Sequence, residues 1–285
     1  MKKFLVVVSF VLLSFPAFAL QDGGAKLEIA YEGMGYSYRE PHMDHPISLK
    51  APTKHGGSIK YTKYGLSSGF SGDKDNMFGV LEARFLMGDT KYRGYTWGGD
   101  PASANGLKDW YVEGRMLAGN KYDLSDTWGV SPYLGIGYRF LSNHADEMEG
   151  GYRRESNYFY VPLGAELGWQ MGEDWKLTFT GEFDWLIKGS QLSRMSDTEL
   201  PSPYEYKDVR NQQSKGFGLR GSVKLETTYA GVGVFIEPFY RFWKIQNSKL
   251  EPLIITDGYY DYYGGDLVEP FNITREYGVK IGVSF

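Results

Sequence analysis

Apolar and polar residues alternate along most of this chain, and the alternation restarts often enough to count ten strands. At the carboxyl end Tyr277, Val279, Ile281, Val283 and Phe285 share one face, while Glu276, Gly278, Lys280, Gly282 and Ser284 take the other. The same period of two appears across 128–141, where Trp128, Val130, Leu134, Ile136, Tyr138 and Phe140 oppose Gly135, Gly137 and Arg139. Across 157–171 Phe159, Val161, Leu163, Leu167 and Trp169 oppose Tyr158, Tyr160, Gly164 and Glu166. A side chain that flips face at every residue is the mark of an extended strand with one apolar and one polar surface.

The remaining strands are predicted over about 25–38, 56–68, 77–89, 108–119, 174–188, 214–227 and 231–245. In the second, Ile59 and Tyr61 fall out of phase with Tyr64 and Leu66, which predicts a bulge there. The separators alternate in length. Segments 69–76, 120–127, 172–174 and 228–230 are short, whereas 39–55, 90–107, 142–156, 189–213 and 246–272 are long. Up-and-down outer-membrane barrels pair short periplasmic turns with longer extracellular loops in this way, which puts both chain ends in the periplasm.

A soluble β-sandwich also alternates, but it turns its polar face to water. Here the polar face carries charges deep inside the strands: Glu82, Glu113, Glu166, Glu182, Asp184, Glu226, Glu237 and Glu276 among acids, and Arg84, Arg115, Arg139, Lys176, Arg220, Lys224, Arg241 and Lys280 among bases. The opposite face is rich in Trp, Phe, Val and Leu. That combination predicts an all-β fold, a ten-stranded antiparallel up-and-down transmembrane β-barrel whose polar face closes into a lumen. A barrel little wider than eight strands fills with its own side chains, so these charges are expected to pair across it as a plug rather than line an open pore.

The amino end agrees. Lys2 and Lys3, the apolar run from Phe4 to Phe15 and Ala17-Phe18-Ala19 read as a signal peptide over residues 1–19, leaving 20–285 as the barrel. No later apolar run is long enough for a membrane helix. The formal net charge of −4 gives no footing for a nucleic-acid partner, and the absence of cysteine removes disulfides and thiolate chemistry. The last strand, ending on Phe285, resembles the assembly signal of Gram-negative outer-membrane barrels, which implies the barrel-assembly machinery as a partner.

Ten strands, five outer loops and a charged lumen together resemble the omptin family of outer-membrane proteases and adhesins. The resemblance implies, for a peptidase, a water held between an Asp pair and an Asp–His pair on the outer loops. The candidates here are Asp100, His144 with Asp146, and Asp208, beside Asp89, Asp109 and Asp197; no Asp-x-Asp pair occurs among them, and the fourth loop has no histidine. The resemblance thus favours a surface protein acting through its loops for adhesion or ligand binding, with an endopeptidase and a small-solute porin as alternatives. No cofactor is expected. His42, Asp44, His45 and His55 lie in the expected first loop without the spacing of a metal site. Tyr259, Tyr260, Tyr262 and Tyr263, interleaved with Asp257, Asp261 and Asp266, offer a contact surface for an extracellular ligand. Lys91, Arg93, Arg153, Arg154 and Lys188 are candidates to meet lipopolysaccharide phosphates at the outer rim.

Overall fold

The computed structural model of the chain describes residues 24–41, 46–66, 76–95 and 99–285; the expected signal peptide lies outside them. Ten long strands form the wall: β1 (Ala25–Glu40), β2 (Ile47–Tyr64), β3 (Met77–Tyr95), β4 (Pro101–Asn120), β5 (Trp128–His144), β6 (Arg153–Met171), β7 (Trp175–Ser193), β8 (Gly216–Tyr229), β9 (Val232–Ile245) and β10 (Asn272–Ser284). Each pairs antiparallel with its sequence neighbours, and β10 pairs with β1 from Glu28 opposite Ser284 to Arg39 opposite Ile273. Leu27 and Phe285 complete that seam with reciprocal backbone bonds of 3.0 and 2.9 Å. The ring is closed, so no edge of the wall is left without hydrogen-bond partners, which a wall in hydrocarbon requires.

The faces sort as the alternation demands. Leu81, Met116, Leu134, Leu163, Trp185 and Ile281 are all more than half exposed, an apolar band that would be untenable in water and is ordinary against lipid. Aromatic rings mark its borders. Trp128 and Trp169 stack at 5.3 Å near the inner end, and Phe85, Trp110 and Phe140 cluster at 6.1 and 5.2 Å near the outer one. Inside, the ring of Tyr160 lies across Gly137 of the neighbouring strand, where any added Cβ would collide with it. The glycine makes room for a lumen filled with large side chains.

The outer connections differ from expectation. In three of the five segments expected to be long loops the flanking strands reach further: β1 runs to Glu40 and β2 starts at Ile47, β3 runs to Tyr95 and β4 starts at Pro101, and β5 runs to His144 and β6 starts at Arg153. The wall continues above the apolar band, where the outward side chains are also polar, as in Asp89, Lys91, Arg93, Ser103 and Asn105. Strand pairing persists there without an apolar period to reveal it. Strand two changes accordingly. Its irregularity falls between Lys50 and His55, not at Tyr61–Tyr64; Tyr61 faces outward and Tyr64 lines the interior, so their change of phase is a change of face.

The last two outer connections, 194–215 and 246–271, are long and carry structure of their own. Val209–Gln213 folds back onto β7, and the hairpin Glu251–Thr256 with Asp261–Leu267 is extended by Glu205–Tyr206 into a three-stranded sheet. Met195, Val209 and Leu253 are buried beneath it, with Tyr152, Tyr206 and Leu267 packed around them, so the third, fourth and fifth connections share one small core.

Candidate functional site

Inward-facing charges fill the lumen in layers. Nearest the inner mouth, Lys26 bridges Glu226 (2.7 Å) and Glu28 (3.0 Å), Lys224 reaches Glu28 (2.5 Å), and Lys60 pairs with Glu166 (3.0 Å). Glu28, Lys60, Glu166 and Lys224 line a cavity of about 430 Å³ that runs from Tyr64, Phe78 and Lys121 up to Arg84, Arg115 and Arg220. Lys280 lies 3.4 Å from Glu237 on its wall.

Above the cavity the pairing tightens. Arg115 joins Glu82 (2.7 Å) to Glu182 (2.5 Å), Arg84 pairs with Glu82 and lies 3.2 Å from Glu113, and Arg220 reaches Glu113 (2.5 Å), Asp184 (2.6 Å) and Glu182 (3.1 Å). Arg241 meets Glu32 at 3.0 Å, and Arg139 meets Glu276. Three tyrosine hydroxyls complete the layer, Tyr133 donating to Glu182 (2.7 Å), Tyr160 to Glu113 (2.6 Å) and Tyr111 to Glu276 (3.4 Å). Each carboxylate is thus held by a guanidinium, an ammonium or a hydroxyl, which offsets the cost of taking it out of water.

A third layer was hidden in the segments read as loops. Lys54, fully buried, pairs with Asp109 and sits 3.7 Å from the centre of the Tyr36 ring, while Asn143 donates to Asp109 at 3.2 Å. Asp109, a peptidase candidate at the start of the expected fourth strand, is therefore a lumen group. Arg154, expected to face outer-leaflet phosphates, instead points inward to Glu40 (2.9 Å) and Glu269 (2.7 Å), with Tyr38 donating to both carboxylates at 2.6 and 3.0 Å. Gln191 donates to Glu269 from β7. Burial, opposed by Arg154 and reinforced by Glu40, pushes the Glu269 carboxyl up to about 7. The group pins the 246–271 connection to the rim. A void of about 40 Å³ lies between these layers.

At the top, the hairpin tip is held by Asp257, which accepts from the Tyr259 and Tyr260 amides (2.9 and 2.7 Å) and from the Tyr262 hydroxyl (2.8 Å). Tyr259, Tyr260 and Tyr263 are 92, 70 and 67% exposed, whereas Tyr262 meets Tyr204 edge-on at 6.0 Å. The ring surface is presented on a fixed turn.

The expected catalytic candidates do not converge. Asp100 lies exposed in the β3–β4 turn; His144 ends β5, 3.5 Å from Asp146 and 3.4 Å from the Ser142 hydroxyl. Asp208 accepts from Ser196 (2.7 Å) and Arg194 (3.1 Å); burial raises its carboxyl, but those bonds outweigh it and hold the group below the usual range. Asp197 accepts from the Arg153 amide at 3.0 Å. Asp197 and Asp208 are thus engaged in fastening the outer connections. His55, expected in the first loop, is in β2 and stacks on Tyr31 on the outer surface at 5.9 Å. His42, Asp44 and His45 lie outside the described residues, among which no three ligands gather around a metal position.

The outward face above the apolar band carries bases in register. One cross-strand row holds Arg275, Ser37, Lys50 and Lys91, and the next holds Lys244, Ile273, Arg39, Ser48 and Arg93. Arg39, Lys50, Lys91, Arg93 and Arg275 are exposed and make no ion pair among the described residues. Sequence periodicity could not show this, because it takes the strand register to bring them together.

A closed ten-stranded transmembrane barrel with a charge-filled lumen and a wall rising beyond its lipid-facing band is the fold of Gram-negative outer-membrane proteins. The outer-membrane protease OmpT of Escherichia coli shares it with a TM-score of 0.58, covering 93% of this chain and 97% of that one at 10% identity. The translocator domain of the autotransporter NalP of Neisseria meningitidis matches at TM-score 0.38 and 10% identity over 93 and 90% of the two chains. Ail, the attachment invasion locus protein of Yersinia pestis, matches at 0.30 and 9% over 92 and 99%. Comparison with protein-family models and with curated proteins gives no match. At these identities the likeness is one of fold.

Proposed function

We propose that the protein is an outer-membrane surface protein with a plugged lumen, which binds an extracellular partner through the hairpin of its last outer connection. The observation that carries this reading is the tip itself: Tyr259, Tyr260 and Tyr263 stand bare on a turn already fixed by Asp257 and by the buried Met195, Val209 and Leu253. Exposed tyrosine on a rigid turn gives large contact area at little further entropic cost. The two rows of bases beneath the rim fit lipopolysaccharide phosphates as the membrane-side partner, and the β1–β10 seam ending at Phe285 fits recognition by the barrel-assembly machinery.

The test compares bacteria displaying the wild-type protein with bacteria displaying Tyr259→Ser/Tyr260→Ser/Tyr263→Ser, on surfaces coated with laminin, collagen or heparin. Attachment to one coating is expected for the wild type and at least about tenfold less for the triple variant, as for loss of an aromatic hot spot. Equal attachment by both, or none by either, removes the reading. The endopeptidase alternative is answered separately by incubating the pure protein with lipopolysaccharide and a dibasic fluorogenic peptide.

A further inference from the structure

The lower half of the lumen is not filled as the upper half is. Above the guanidinium layer, Tyr36, Tyr158, Arg139 and Trp243 surround a void of about 40 Å³. Below it the inward positions include Ser58, Ser131, Thr178, Thr180 and Ser222, and the space such short side chains leave is the cavity of about 430 Å³. That is the size of a small-molecule pocket, about 300–1,000 Å³. Exposure falls along it: the side chains of Lys121 and Lys60 keep 53 and 26% of their surface, those of Arg115 and Arg220 only 9 and 7%. The cavity is a cup that opens at the end of the short turns, the periplasmic end of such barrels.

Its chemistry is cationic and hydroxylic. Strand register gathers the groups on one wall. Ser131, Glu166, Thr180 and Ser222 form one cross-strand row, Gly168, Thr178 and Lys224 the next, and Lys176 lies between Gln170 and Glu226 in the third. The Lys176 side chain leans over Gly168, its Cε 3.4 Å from where a Cβ would stand, and makes no ion pair or hydrogen bond among the described residues. The hydroxyls of Ser131, Thr178, Thr180 and Ser222 are likewise unengaged among them. Lys60 reaches this wall from β2, across the lumen, at Glu166.

Below the guanidinium layer the described lumen groups are five ammoniums, Lys26, Lys60, Lys176, Lys224 and Lys280, and four carboxylates, Glu28, Glu166, Glu226 and Glu237. Lys176 is the surplus cation. The floor turns Arg84, Arg115 and Arg220 toward the cavity with Glu82 and Glu182, whereas their other partners, Glu113 and Asp184, are not on its lining.

We propose that the cup binds a small phosphate monoester of a polyol from the periplasm, its phosphate on Lys176, Lys60 and Lys224 and its hydroxyls on Ser131, Thr180 and Ser222. An ammonium has three donors, and Lys60 and Lys224 each give one to a glutamate, Glu166 at 3.0 Å and Glu28 at 2.5 Å, which leaves donors for an anion. A monoester carries close to two negative charges and three acceptor oxygens at neutral pH, so it engages several ammoniums at once. The same surplus repels metal cations, and an apolar ligand would leave the hydroxyls buried without partners. The cup lies at the opposite end of the barrel from the tyrosine hairpin, so neither site's test bears on the other.

The experiment exposes the purified full-length barrel to sn-glycerol 3-phosphate, inorganic phosphate and glycerol. Binding is read by titration calorimetry and by the rate at which an amine-reactive reagent labels each lysine. Folding of each variant is checked by its heat-modifiable mobility on gels. The wild type is expected to bind glycerol 3-phosphate saturably and more tightly than inorganic phosphate, and the ester is expected to slow labelling of Lys176 but not of Lys50 or Lys91. Lys176→Gln, which breaks no existing pair, is expected to weaken ester binding about tenfold, as for loss of one charge-assisted hydrogen bond. Lys50→Gln/Lys91→Gln, on the outer wall, is expected to keep wild-type affinity. No saturable binding by the wild type, wild-type affinity in Lys176→Gln, or protection of Lys50 and Lys91 alone overturns the site. Inorganic phosphate bound as tightly as the ester overturns the role given to the hydroxyls.

Discussion

Glu113 shows how much a single lumen residue carries. It accepts from Tyr160 at 2.6 Å and Arg220 at 2.5 Å, lies 3.2 Å from Arg84, and is almost completely buried. Buried ion pairs contribute little net stability against a well-packed apolar core, yet removing one partner strands the other. Arg220→Met leaves Glu113 and Asp184 short of their main cation and is expected to lower stability by about 3–5 kcal/mol, read as an earlier midpoint in urea unfolding of the lipid-reconstituted barrel. A midpoint equal to wild type would mean that the cluster is solvated rather than sealed. At this scale the sequence was legible where phase was unbroken. Glu82, Arg115 and Glu182 fall on the polar side of clean strands, whereas Glu40, Lys54 and Glu269 sit in stretches without an apolar period, where nothing marks a charge as inward.

Among the elements, the outer cap is the part whose behaviour depends on pH. Glu269 holds the 246–271 connection to Arg154, Tyr38 and Gln191, and its carboxyl is pushed from 4.5 up to about 7. The folded cap therefore binds more protons than the unfolded chain between those values. Its contribution to stability is full below about 4.5 and is lost as pH rises through about 7. Hydrogen exchange of the 246–271 segment is expected to quicken between pH 5 and 8 beyond the intrinsic base-catalysed rise, and Glu269→Gln is expected to flatten that excess. An unchanged excess in the variant would remove Glu269 as its cause. The strands beneath were largely readable, since lipid on one side and charge on the other enforce the period. The walls above the lipid were not, because water on the outside and polar groups on the inside erase the contrast.

For the whole molecule, closure and plugging have one electrical consequence. The lower cavity and the small upper void are separated by the Arg84, Arg115, Glu113 and Arg220 layer, and the wild-type barrel is expected to give no stable conductance in a planar bilayer. Glu113→Ala/Arg115→Ala/Arg220→Ala is expected to give measurable channel events. Large steady currents from the wild type would favour the small-solute porin. The ten-strand count and the closure of β10 on β1 could be read from alternation alone; which lumen groups touch could not, since pairs such as Lys26 with Glu226 join residues far apart in the chain through a register the sequence does not state.

The lower cavity also makes the molecule sided in a way that chemistry can read. Lys60 and Lys224 stand in a blind cup that opens toward one compartment only, while Lys50 and Lys91 face the other. An amine-reactive reagent too large to cross the membrane should modify the second pair in intact cells and reach the first only once the envelope is breached. The barrel thus carries its own orientation marker, and peptide mapping of four lysines would report which way up any reconstituted preparation stands.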